Sequence, residues 1–145
     1  MKRFLFIIFS ISLLTSVNAL EKTKEEKVAK YVLENMQNDY TTCYGFYKIT
    51  SEIYKKINAD KSIVDGLDKS ADITLKFAHD LGEVLNYNLK SMSQNNKKEI
   101  KRLNVIANKD FNQLTKKYGL MCKRLVENQK QRIYYWENIG NKKIK

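Results

Sequence analysis

Residues 23–57, TKEEKVAKYVLENMQNDYTTCYGFYKITSEIYKKI, decide the fold class. Thr23 followed three residues later by Glu26 is a capping box, in which each side chain satisfies an orphan amide of the first helical turn. Val28, Val32, Met36, Tyr40, Cys43, Tyr47, Tyr54 and Ile57 then recur at helical spacing within about a third of the circumference. The stretch therefore predicts a long amphipathic helix with Cys43 in the middle of its apolar stripe.

The same period runs through the rest of the chain, which has no proline and only five glycines. No alternating strand pattern competes with it. Asp65-Gly66 reads as a turn or helix stop, so residues 58–69 are expected to be a connector, with room for a short helical turn around Ile63–Leu67. A second helix then runs from Ser70 to just before Ser91, with Ser70, Ile73, Phe77, Leu81, Val84 and Leu85 on one face. The polar stretch Ser91–Asn96 reads as a loop, with Asn96 and Glu99 forming the next cap. The last helix is expected from Lys97 to Ile139, stopped by Gly140, with Ile100, Leu103, Ala107, Phe111, Leu114, Tyr118, Met121, Leu125 and Trp136 in one sector. Gly119 offers a break, but one interior glycine costs a helix only about 1 kcal/mol, so a single helix is expected. The predicted fold is all-α: an up-down-up bundle of three long helices, four if the last divides, with the first and last parallel and one disulfide between helices.

Ahead of this region, Lys2 and Arg3 lead into the apolar run Phe4–Leu14 and the small-residue site Val17-Asn18-Ala19. That is the grammar of a secretory signal peptide, with cleavage expected after Ala19. The run is too short to span a bilayer, which takes roughly 20 apolar residues. No cysteine sits at the cleavage site to carry a lipid. The expectation is a leader over residues 1–19, a single domain over residues 20–145, and a periplasmic or secreted protein. In an exported chain, the cysteine pair Cys43 and Cys122 is a disulfide more often than two thiols, and it lacks the CxxC spacing of a redox pair. Helical rise places Cys43 about 30 Å and Cys122 about 38 Å from their helix starts, compatible with a cross-link between parallel helices.

The formal charge is +11. Leu20–Ser91 carries 11 Lys and Arg against 12 Asp and Glu, whereas Met92–Lys145 carries 14 against 4. A general bias toward lysine would raise the charge everywhere and does not account for a neutral first half. On the expected last helix, Lys97, Lys98, Lys101, Arg102, Lys109, Lys116, Lys123, Arg124 and Lys130 fall mostly opposite the apolar sector, as a stripe of roughly 45–50 Å. They are the candidate anion-binding residues, although an ordinary solvated helix face has the same look. Tyr134, Tyr135 and Trp136 beside Arg132 have the composition of an interfacial anchor, or of rings closing the bundle end.

His79 is the sole histidine, and Asp65, Asp68 and Asp72 lack the spacing of a calcium loop, so no metal site is expected. There is no Ser-His-Asp order, HExxH, CxxCH or glycine-rich phosphate loop. No catalytic residue or cofactor is assigned, and carboxylates that converge only in space stay open. The function expected first is an exported binding or accessory protein that sets a basic helix face against an anionic membrane surface or envelope polymer: lipid headgroups, lipopolysaccharide or acidic glycan. A periplasmic holdase-type chaperone or adaptor with a protein partner comes second, and an enzyme or cofactor-carrying bundle third. Nucleic acid comes last among partners, because an arginine-led base-reading pattern is missing. The oligomeric state has no signature in the sequence.

Overall fold

The computed structural model describes residues 23–145; the leader assigned to residues 1–19 lies outside them. The described residues form five helices and no strand: α1 Lys24–Lys56, α2 Lys61–Val84, α3 Leu89–Lys109, α4 Phe111–Glu127 and α5 Lys130–Lys143. The all-α class and the Cys43–Cys122 disulfide are both present. None of these helices is long and apolar enough to cross a membrane.

Helix α1 opens with the predicted capping box, in which the Glu26 amide donates to Thr23 Oγ1 at 3.2 Å and the Thr23 amide to Glu26 Oε2 at 3.1 Å. Each of the other four helices packs against it. Enclosed in this way, α1 buries the predicted stripe from Val28 to Tyr47, while Ile57, past its last turn, stays 66% exposed. It also buries Gln37, Thr50 and Ser51, which sequence periodicity places outside the apolar stripe. Gln37 Nε2 donates to Thr41 Oγ1, Thr50 Oγ1 to the Phe46 carbonyl and Ser51 Oγ to Asp68 Oδ1. Among the described residues every buried side-chain polar atom has a partner, as a low-dielectric interior demands.

The second helix starts at Lys61, so the expected connector over residues 58–69 is mostly helical. Asp60 caps it, accepting the Ser62 amide at 2.7 Å, and Gly66 lies inside the helix. The face of α2 that meets α1 is also displaced from the apolar one predicted. Ala71, Thr74, Ala78 and Gly82 are buried, whereas Phe77 is 38% and Val84 64% exposed. Small side chains let the two helix backbones approach, and a ranking by hydrophobicity overlooks them. Gly82 then receives Met92 of α3, whose sulfur occupies the space a Cβ would need.

Both inter-helix corners at the ends of α2 turn on asparagine. Asn58 (φ 52°) and Asn86 (φ 60°) take the left-handed conformation that asparagine tolerates better than other side-chain-bearing residues. Asn88 then caps α3 by accepting the Ser91 amide at 2.8 Å. The expected loop Ser91–Asn96 is therefore helix, and Asn96, read as a cap, is buried in its interior.

The expected single helix from Lys97 to Ile139 is three segments. Asp110, with extended backbone, ends α3 and caps α4 by accepting the amides of Asn112 (2.9 Å) and Gln113 (3.2 Å). Asn128 and Gln129 separate α4 from α5, while Gly119 lies inside α4 without breaking it. Contacts fix the directions. Thr42 meets Glu99, and a Cβ at Gly45 would meet Leu103 and Ile100, so α3 runs parallel to α1. A Cβ at Gly119 would meet Phe46, and the rings of Tyr54 and Phe111 adjoin, so α4 runs back along α1. The disulfide, with Cα atoms 5.3 Å apart and its cysteines 79 positions apart in sequence, thus joins antiparallel helices. The parallel arrangement inferred from similar heights is corrected: the chain reverses at Asp110, and both limbs keep their apolar sector on α1.

Candidate functional site

The reversal at Asp110 divides the predicted cationic stripe. Lys97, Lys98, Lys101, Arg102 and Lys109 lie on α3, Lys116, Lys123 and Arg124 on α4, and Lys130 on α5, all exposed. A straight stripe of 45–50 Å is therefore not formed; α3 and α4 instead pack side by side as a cationic hairpin.

Arg102 is not a free cation. Its guanidinium donates to both oxygens of Glu99 (2.6 and 2.8 Å) and to the Tyr118 hydroxyl at 3.0 Å, while Thr42 Oγ1 donates to Glu99 Oε1 at 2.7 Å. The hydrogen bond from Arg102 holds the Glu99 carboxyl below the usual range, opposed by desolvation and helped by Thr42. The reciprocal bond raises Arg102 above its ordinary value. A depressed carboxyl stabilises the fold fully above its unfolded pKa of about 4.3, and that stabilisation is lost as pH falls through the lower folded value. Denaturant midpoints of the wild type should accordingly fall, relative to those of Glu99→Gln, as the pH drops below about 4. A parallel pH dependence for the two proteins would remove Glu99 from this role.

The cationic face on α4 is built around an apolar residue. Leu120 is 59% exposed, and Lys116, Lys117, Lys123 and Arg124 stand at its i−4, i−3, i+3 and i+4 positions, where helix neighbours meet on one surface. Lys123 lies 3.9 Å from Glu127, whereas Lys116, Lys117 and Arg124 form no ion pair among the described residues. Beside Leu120, a groove of about 490 Å³ between α4 and α5 is lined by Lys116, Lys117, Met121, Arg124, Arg132 and Tyr135 among others. Lys117 and Leu120 were absent from the sequence-derived candidates. Their i±3 and i±4 relation to the cations was available in the sequence, but an exposed leucine is not a signal until the core has been located.

The aromatic run divides. Tyr134 (66%) and Tyr135 (45%) are exposed, whereas Trp136 turns toward α1, edge-on to Tyr31, and donates from Nε1 to Asp39 Oδ2 at 2.6 Å. Arg132 also clamps Asp39, at 2.7 and 3.1 Å, with its guanidinium over the rings of Tyr135 and Trp136. Trp136 is thus a fastening between helices and not an outward anchor.

A second concavity, of about 650 Å³, lies between α1, α2 and α5 and is walled mainly by apolar side chains. Below it α4 fills the space against Cys43; above the break at Asn128 and Gln129, α5 swings toward Asp39 and leaves a slot against Phe77 and Leu81. Tyr40 donates to Gln129 Oε1 at 2.8 Å across its lower end, and burial, then the nearby Asp39, pushes the phenol up to about 12, so it remains a donor. His79 is half-buried on α2, and among the described residues no three His, Cys, Asp or Glu side chains gather as a metal set. The chain matches no family model, no curated protein and no solved structure.

Proposed function

We propose that this protein is an exported helical binding protein that lays the α4 face, extended by α3 and α5, on an anionic membrane surface of the cell envelope. The observation that carries this is Leu120, exposed at the centre of Lys116, Lys117, Lys123 and Arg124. Cations alone suit any polyanion. A large apolar side chain among them adds insertion at the headgroup boundary, the arrangement by which amphipathic surfaces bind lipid. Exposed Tyr135, which lines the groove beside Leu120, extends it with a ring suited to the same boundary. The disulfide supports an oxidising compartment outside the cytoplasm, in keeping with the leader grammar of residues 1–19. The role is binding, with no catalytic step and no cofactor.

Sedimentation with vesicles tests it. Binding to phosphatidylglycerol vesicles should be strong at low salt and fall steeply as the Debye length shrinks from about 10 Å at 0.1 M to about 3 Å at 1 M, with little binding to phosphatidylcholine. Combined reversal of Lys116, Lys123 and Arg124 to Glu should abolish it without unfolding the protein. Leu120→Ser should weaken vesicle binding roughly 10-fold or more, the loss of one buried leucine, yet leave binding to soluble heparin unchanged. Equal binding to neutral and anionic vesicles, or wild-type binding by the charge-reversed protein, would reject the proposal.

A further inference from the structure

The cleft between α1, α2 and α5 is separate from the cationic face and is not explained by it. Its walls are Val28, Val32 and Met36 of α1, Phe77 and Leu81 of α2, and Ile133 of α5. At 1.5 Å per residue it runs about 22 Å along α1, from Glu25 to Tyr40, and the Tyr40–Gln129 hydrogen bond closes its lower end. A volume of about 650 Å³ is that of a small-molecule site. A helical segment about 10 Å across and of that length would need more than twice as much, so a single alkyl chain fits where a helix does not.

Charge specifies the other end of the occupant. Glu25 of α1 and Glu137 of α5 line the cleft, and neither forms an ion pair among the described residues. The neighbouring Lys143 ammonium is instead directed over the Tyr31 ring, 5.6 Å from its centroid. In a chain of net charge +11, these two carboxylates are the charged groups of the cleft lining, which includes no lysine or arginine. We infer that this cleft binds a single-chain amphiphile with a cationic head, its alkyl chain between α1, α2 and α5 and its head against Glu25 and Glu137. This inference is independent of the membrane-surface proposal, because the two sites share no residue that either test alters.

The test uses the protein as isolated, disulfide intact, titrated by calorimetry and amide NMR with decyl- and dodecyltrimethylammonium below their micellar concentrations. One-site binding is expected, with amide shifts at Val28, Val32, Leu33 and Ile133 and an affinity gain of about fourfold per added methylene. The double substitution Glu25→Gln and Glu137→Gln should weaken binding up to about 10-fold, the sum of two exposed ion pairs. Ala29→Trp, which fills the cleft from an exposed position, should abolish binding, whereas the charge reversal of Lys116, Lys123 and Arg124 should leave it intact. Four results would overturn the inference: equal affinity for the neutral dodecyl maltoside, shifts dispersed away from the cleft, wild-type binding by a folded Ala29→Trp protein, or self-association that closes the cleft without ligand. Binding of a basic helical peptide in the cleft in preference to the alkyl cations would also overturn it.

Discussion

Cys43→Ala, or reduction of the native protein, will lower the free energy of unfolding by about 2–5 kcal/mol, the largest single effect expected in this chain. The bridge closes a loop of 79 positions, and the entropy removed from the unfolded chain by so long a loop is worth about 4.5 kcal/mol in the simplest model. Both cysteines are fully buried within the main apolar cluster, so the alanine variant also leaves unfilled space. The bridge holds α4 against α1 between the two places where the chain bends, at Asp110 and at Asn128–Gln129. Without it, the antiparallel return of α4 rests on Leu114, Tyr118 and Leu125 alone among the fully inward residues of that helix. Non-reducing mass spectrometry should find the peptide linking Cys43 to Cys122, and urea unfolding with and without reductant should separate by the stated amount. Coincident unfolding curves would show that the bridge contributes nothing.

Asp39→Ala should release α5 and lower stability by about 2–3 kcal/mol. Removing one partner of a buried ion pair typically costs 3–5 kcal/mol, and the figure is discounted here because the Arg132 side chain is 26% exposed. Helix α5 buries only Gly140 completely, so its docking depends on few contacts. Asp39 supplies three of them: two hydrogen bonds from Arg132 and one from the Trp136 indole. The chain has a single tryptophan, which makes the detachment readable as a red shift of its fluorescence. Asp39→Asn keeps an acceptor for the indole but loses the charge, and should fall between wild type and alanine. Unchanged Trp136 emission in Asp39→Ala would show that α5 is held by other means.

What was legible and what was not divides along a physical line. Residues that face a core declare themselves by period: Val28, Val32, Met36 and Tyr40 on α1, and Leu103, Ala107, Leu114, Tyr118 and Leu125 further on, are buried as their spacing required. The first helix ends at Ile57 and Asn58 as its spacing requires, but the later breaks at Asn86, Asp110 and Asn128 are marked by asparagine and aspartate, while Gly66 and Gly119, which offer stops, lie inside helices. Those side chains act through a backbone amide two or three residues on, or by tolerating positive φ. Either effect is weak enough locally for packing to decide whether it is used.

Of the cations around Leu120, Lys116, Lys123 and Arg124, but not Lys117, were legible in the sequence, since lysine and arginine opposite an apolar sector stay in water whichever way the helix runs. Their arrangement was not. Whether Lys101 and Lys116 lie far along one helix or on two adjacent antiparallel ones depends on a single reversal at Asp110, and only packing on α1 selects it. The same holds for Asp39, Arg132 and Trp136, which meet across more than ninety positions of chain, and for the cleft, which exists because α5 leaves the line of α4. The sequence by itself determined the helical class, the first cap, the buried stripe of α1 and the cysteine pairing, because these follow from local hydrogen bonding, from periodicity and from having only two cysteines. The tertiary structure alone decided helix direction, the grouping of charges and the cleft, because each depends on long-range contacts that compete with local preferences of similar size.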